Sequence, residues 1–181
     1  EIKKKFKDLF FAISNGVNFG KLKKNKIDER ERFVNKLFVL GKKINFNILG
    51  VANENPKWNY DFYNELSKCK MALNLSRGKP IKYATSNRIA SLVGNGIYTF
   101  IDEKTKYNDF FDETEMGFYK NEKDLIKKVE NLKGQNDKIN KYSKNGMKRY
   151  FDLFNNKLVS KYILDRAFKT SEDKQQIWEK Y

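Results

Sequence analysis

The residues best equipped for chemistry lie in one segment, Ser76-Arg77-Gly78-Lys79-Pro80-Ile81-Lys82-Tyr83-Ala84-Thr85-Ser86-Asn87-Arg88, which holds four cations and no acid. It joins an apolar run to a segment with helical spacing, so it forms a loop leading into a helix. Ser86 or Thr85 is placed to cap that helix, which puts Arg88 in its first turn. A helix amino terminus already carries partial positive charge, so a guanidinium there is opposed unless an anion lies between the two. Exposed backbone N–H groups and a guanidinium fork together suit a diphosphate. The same residues also read as an ordinary basic loop with Arg88 turned to water. A second candidate is Ser14-Asn15-Gly16-Val17-Asn18-Phe19-Gly20-Lys21, where Gly16 and Gly20 would let the backbone approach a ligand and Lys21 would add a point charge. Three residues separate its glycines and Leu22 follows the lysine, so it is neither a Walker loop nor a dinucleotide fingerprint. A plain turn is the competing reading. Gly94-Asn95-Gly96 marks a helix stop. Asp102, at a strand end, either accepts a hydrogen bond from a ligand or caps the next turn.

The elements that must hold these residues alternate. Apolar runs at 8–13, 44–51, 71–75 and 97–101, with a short one at 116–119, read as strands. Between them, Phe33, Leu37 and Leu40 recur at helical spacing over residues 28 to about 42, and Phe62, Leu66 and Cys69 mark a second helix. Residues 87–93 give a short helix. Leu125, Val129 and Leu132 line another, opened by Asn121 with Asp124 three residues on, which resembles a capping arrangement. Helices over about 137–154 and 157–168 follow, and the stripe Ile139, Tyr142, Tyr150, Phe151 and Phe154 belongs to the core. Strands alternating with helices predict an α/β fold: a Rossmann-like parallel sheet of about five strands with helices on both faces. Residues 1–168 form that domain, and 169–181 a polar tail or docking helix. The chain starts at Glu1 and enters an apolar run almost at once, so an N-terminal partner domain is expected to precede it.

Composition narrows the chemistry. The 181 residues include 38 Lys and Arg against 23 acids, a net charge of +15, which favours anionic partners. An abundance of Lys, Asn, Ile, Phe and Tyr also follows from AT-rich coding, so only cations that the fold gathers carry weight. There is no histidine and a single cysteine, Cys69. This excludes a Ser-His-Asp triad, a Cys-His pair, an imidazole zinc site and an internal disulfide. A reducing cytoplasm fits, and no apolar run reaches the roughly 18 residues of a membrane span.

The stretch Lys70-Met71-Ala72-Leu73-Asn74-Leu75-Ser76-Arg77-Gly78, then Ser86-Asn87-Arg88-Ile89, then Gly94-Asn95-Gly96-Ile97-Tyr98-Thr99-Phe100-Ile101-Asp102 is similar to bacterial group-one glycosyltransferases, closest to the CgeB-like branch. Met116-Gly117-Phe118-Tyr119-Lys120-Asn121 and Tyr150-Phe151-Asp152-Leu153-Phe154-Asn155 fit that branch too. The likeness implies the GT-B arrangement of two Rossmann-like domains facing across a cleft, with this chain as the C-terminal, donor-binding one and the acceptor on the other. It further implies a nucleotide-diphosphate sugar as substrate, no metal and no other cofactor, with Arg88 and Lys82 acting on the donor diphosphate. Around them the donor site would draw on Gly16, Gly20, Lys21, Arg77, Lys79, Tyr83, Ser86, Asn87, Ser91, Gly96 and Asp102. The sequence departs from the family at two positions, eight apart, where many members carry glutamates: here stand Tyr83 and Ser91.

Three functions follow. The leading one is sugar transfer from a nucleotide donor to a cell-surface glycan or similar acceptor, in the cytoplasm, with lipid-linked acceptors bringing peripheral contact with the inner membrane face. On that reading this fragment alone is inactive. The others are a non-catalytic sugar-nucleotide-binding module and a basic nucleic-acid-binding domain, the last without any helix-turn-helix, zinc or RNA-recognition signature.

Overall fold

A computed structural model describes residues 5–13, 22–23, 26–27, 29–51, 54–84 and 86–168. Five strands form one parallel sheet: β1 (Lys7–Ala12), β4 (Phe46–Leu49), β5 (Cys69–Asn74), β6 (Tyr98–Asp102) and β7 (Gly117–Tyr119). Their spatial order is β4-β1-β5-β6-β7. All four pairings are parallel, and Phe11 lies opposite Ile48 while Leu9 lies opposite Met71. The connections are helical: α1 (Glu29–Leu40), α2 (Asn59–Ser67) and α3 (Arg88–Val93), then α4 (Glu122–Leu132), α5 (Asn136–Phe154) and α6 (Asn156–Phe168). The α/β arrangement read from the sequence is the one observed.

Alternate residues of the strands feed opposite faces, as the pleat requires. Leu9 and Phe11 of β1 join Met71, Leu73 and Phe100 in a cluster covered by Val34 and Leu37 of α1 and by Leu125 and Val129 of α4. Phe10 and Ala12 point the other way, toward Leu66 of α2 and Leu92 of α3. Both faces are therefore dry, which explains why the strands read as continuous apolar runs rather than as alternating ones. A third cluster, around Ile101, Phe111 and Phe118, is closed by Leu153 of α5, with Tyr150 and Phe154 packed beside it. Within the aromatic stripe of α5 only Phe151 departs from the core role, being 48% exposed.

Local signals explain the ends of the elements. The side chain of Asn121 accepts from the Asp124 amide at 3.0 Å, and Asp124 accepts in return from the Lys120 amide at 3.0 Å. This reciprocal cap satisfies donors that α4 would otherwise leave open. Gly94 ends α3, and Gly96, at a φ of +66°, turns the chain into β6. That positive φ is what favours glycine there.

Two expectations are corrected, and two links gain structure. Cys69 heads β5 instead of closing the preceding helix, because its side chain enters the sheet interior, where it is fully buried. Leu40 is exposed, and the buried stripe of α1 is Arg30, Val34 and Leu37. Between β1 and α1, Leu22–Lys23 and Lys26–Ile27 pair antiparallel as β2 and β3. Short 3-10 turns, Glu103–Thr105 and Tyr107–Asp109, fill part of the link between β6 and β7.

The strand order places the site. From β1 the chain crosses to β4 on one side and returns to β5 on the other, so the connections diverge between β1 and β5. In such sheets ligands bind beyond the carboxyl ends of the strands at this point of reversal.

Candidate anion site at the sheet reversal

Arg88 opens α3 but reaches back over that point. Its Nη1 donates to the Leu75 carbonyl at 3.0 Å, just past the end of β5, and its guanidinium lies 5.7 Å from the Phe11 ring centroid in β1. The residue therefore spans the carboxyl ends of the two diverging strands and is half-buried there. Burial, and then the neighbouring guanidinium of Arg30, push its pKa down from the ordinary guanidinium value to about 10. It remains a cation at neutral pH, though in surroundings that disfavour one.

Arg30 comes from the first turn of α1 and is 8% exposed. It was not among the residues read from the sequence. The available signal was spacing: Arg30, Val34 and Leu37 fall on one helical face, and a cation in the buried stripe of a helix that follows the first strand is out of place unless it serves a site.

The two arginines border a cavity of about 300 Å³ that Arg77, Lys79, Ser76 and Ser86 also line. Among the described residues it is lined by four cations and two hydroxyl-bearing residues, and by no acidic side chain. Cations gathered around one cavity attract an anion of matching size. A diphosphate has the charge, and its oxygens can accept both guanidinium forks and hydroxyl donors. Among the described residues no group of three or more Cys, Asp or Glu side chains is arranged to hold a metal ion.

The predicted site residues divide into four sets. Arg77, Lys79, Ser86 and Arg88 converge on this cavity. Asp102 lines an adjoining cavity of about 330 Å³ that shares Arg30, Leu75 and Ser76 with the first, and it caps the first 3-10 turn by accepting from the Lys104 amide at 2.9 Å. Gly16, Gly20, Lys21 and Thr85 lie outside the described residues.

The remaining predicted residues point elsewhere. Lys82 is exposed and sits 4.5 Å from the centroid of the Tyr83 ring instead of lining the cavity. Tyr83 adopts φ +59°, packs on Phe110 and donates its hydroxyl to Asp109 at 2.7 Å, so it is bound into the wall of the domain. Ser91 lies inside α3 and borders neither cavity. Gly96 precedes β6, at the sheet edge opposite the cavity, and faces Met147 of α5. The cap of α3 is also corrected. Its N-cap is Asn87, in helical conformation and without a side-chain cap bond. At six residues α3 is under two turns long, so side-chain cations, rather than a helix dipole, supply the field in this cavity.

A cationic cavity at the reversal of a parallel sheet is common to many α/β families. The chain matches the glycosyl transferase-like family over residues 29–165, more than half of its length. The chain belongs to that family. The matched span of this glycosyl transferase-like domain includes all six cavity residues named above. No curated protein matches it in sequence. Among the described residues of the domain, no helix is long and apolar enough to cross a membrane.

Proposed function

We propose that this glycosyl transferase-like domain binds the diphosphate of a nucleotide-activated sugar between Arg30 and Arg88, for transfer of the sugar to a cell-surface glycan or similar acceptor. The observation that carries the reading is the pair of neighbouring guanidiniums, Arg30 buried and Arg88 half-buried, at the carboxyl ends of β1 and β5, in a cavity that no acid lines among the described residues. In such a transfer the glycosidic carbon leaves the diphosphate, whose terminal phosphate gains negative charge. Arg88, Arg30, Arg77 and Lys79 are already in place to stabilise that charge, so little reorganisation is needed at the moment of reaction. Fixed cations take the part that a divalent metal plays in other phosphate chemistry. The cavity supplies no carboxylate to act as general base. In the GT-B arrangement that the resemblance implies, the acceptor and any such base come from a facing domain, on the cytoplasmic side of the membrane.

Binding without transfer is a second reading, favoured by one observation. Tyr83, which stands where many relatives carry a glutamate, is tied to Asp109 and turned away from the cavity. Release of free nucleoside diphosphate by the complete protein, in the presence of acceptor, distinguishes transfer from binding alone.

The domain itself tests the first step. A ligand present at 100 times its dissociation constant stabilises a fold by about 2.7 kcal/mol. Melting curves with pyrophosphate, nucleoside diphosphates and nucleotide sugars are expected to rise by roughly 5–10 °C, given about 2–4 °C per kcal/mol for a domain of this size. Absence of any rise with all of them contradicts the proposal.

A further inference from the structure

Three aromatic side chains stand exposed within six residues at the start of α2: Trp58 at 58%, Tyr60 at 77% and Tyr63 at 48%. Exposed apolar residues scattered singly call for no account, but tryptophan is mostly buried in folded chains, and clustered exposure marks a binding surface. Among the described residues Trp58 has no aromatic or cationic partner, and neither tyrosine hydroxyl makes a hydrogen bond. Tyr63 is held edge-on to Phe62 at 5.2 Å, and Phe62 edge-on to Phe10 of β1 at 5.5 Å, so the patch is anchored to the sheet.

Topology sets the patch beside the anion cavity. The chain leaves the carboxyl end of β4, enters α2, and descends to the amino end of β5, so Trp58 and Tyr60 lie at the carboxyl rim. Leu66 of α2 and Leu92 of α3 cover the same face of the sheet, and Arg88 opens α3 at that same rim. Glu65 accepts from Asn47 of β4 at 3.1 Å, which turns its flank of α2 toward the sheet edge. Tyr63, two residues earlier, falls on the opposite flank, the one toward α3. Neighbouring helices lie about 8–10 Å apart, so the patch begins roughly that far from Arg88.

Charge selects the occupant. Residues 54–66 hold three acids, Glu54, Asp61 and Glu65, against one lysine, Lys57, in a chain of net charge +15. Anionic lipid headgroups and nucleic acids are therefore disfavoured here, although the rest of the surface attracts them. A neutral sugar ring fits. Its C–H faces can lie on the indole and phenol rings, while its hydroxyls donate to the Asp61 carboxylate and the tyrosine oxygens. Asp61 makes no hydrogen bond or ion pair among the described residues, so its oxygens are available. We propose that Trp58, Tyr60 and Tyr63 form a stacking platform that holds a neutral glycan chain beside the donor site. Its role as the acceptor's platform rests on the sugar-transfer reading above.

The chain has two tryptophans, so a Trp178→Phe background leaves Trp58 as the sole indole. Titration of that protein with maltohexaose, cellohexaose, mannohexaose and chitohexaose, read by indole fluorescence and calorimetry, tests the platform. At least one is expected to bind with a blue shift of Trp58, and the one that binds separates a hexose chain from an N-acetylhexosamine chain. Tyr60→Ala, and Trp58→Ala followed by calorimetry, are each expected to weaken that binding about tenfold. Both alter exposed side chains, so pyrophosphate affinity is expected to stay within about twofold and the melting temperature to hold. Binding of no hexasaccharide at millimolar concentration overturns the proposal, as does equal binding by both variants. A Trp58 shift that instead follows self-association assigns the patch to a second copy, and one that requires phosphatidylglycerol vesicles assigns it to a membrane. Loss of glycan binding in the complete protein assigns it to a facing domain, and each of these three results also overturns the proposal. Pyrophosphate binding without glycan binding sinks the platform alone, and the reverse sinks the diphosphate reading alone.

Discussion

Arg88→Leu is expected to lower the affinity of the domain for pyrophosphate about 100-fold while changing its melting temperature by only a few degrees. Hydrogen bonds to charged groups contribute about 1.5–3 kcal/mol each, and a guanidinium fork presents two to a phosphate, so a loss near 2.7 kcal/mol is a conservative expectation. Stability responds differently because two effects oppose one another. The substitution removes a cation whose pKa burial and Arg30 have pushed down to about 10, so at neutral pH its charge works against the fold. The same substitution deprives the Leu75 carbonyl of its donor, at a cost of about 1–3 kcal/mol. Near-cancellation is what separates a binding residue from a structural one, since a residue that merely held α3 in place would lower both quantities together. Arg88→Lys sharpens the test. It keeps the charge but loses the planar fork, and an intermediate loss of about tenfold is expected. Affinities from titration calorimetry and melting curves from circular dichroism, on the same samples, check both halves of the expectation.

Phe100→Ala is expected to destabilise the domain by about 3–5 kcal/mol, a fall in melting temperature of roughly 10 °C or more. Phe100 is 1% exposed at the middle of β6 and lies edge-on to Tyr98 at 5.3 Å between centroids. The neighbouring strand leaves room for it only through Gly117, where an added Cβ would come within 2.3 Å of the ring. The ring therefore fills a slot that two strands form jointly, and the rigid sheet cannot collapse into the space it vacates. Such sites stand at the high end of large-to-small costs. Chemical denaturation read by tyrosine fluorescence and circular dichroism measures the loss directly.

Most of the architecture was legible because it rests on local, repeated signals. A dry face on each side of the sheet makes a strand such as Leu9-Phe10-Phe11-Ala12 a continuous apolar run, and alternation with helices then fixes a parallel arrangement. The Asn121–Asp124 cap was equally local. Cys69 was misplaced because a buried, small, apolar-like residue at a helix–strand junction suits either element, and only the sheet's edge decides between them.

The site was legible in part, for a related reason. Arg77, Lys79, Ser86 and Arg88 are close in sequence, so their charge stood out before their geometry was known. Arg30 is far from them along the chain and stands among Glu29, Glu31 and Arg32, where it reads as one charge in a mixed helix face. Its burial depends on α1 lying across the carboxyl end of β1, which is a tertiary fact. The basic loop suggested Lys82 and the family resemblance suggested Tyr83, but a left-handed backbone at Tyr83 sets its ring against Phe110, with Lys82 beside it.

The diphosphate proposed to lie between Arg30 and Arg88, beyond the carboxyl ends of β1 and β5, is open to direct observation. A crystal structure of the domain grown with pyrophosphate, or with a nucleoside diphosphate that raises its melting temperature, locates the phosphates directly. The account predicts phosphate oxygens within about 3 Å of both guanidiniums. Phosphates resting instead on exposed lysines such as Lys82, with the space between the two arginines closed to them, would contradict it.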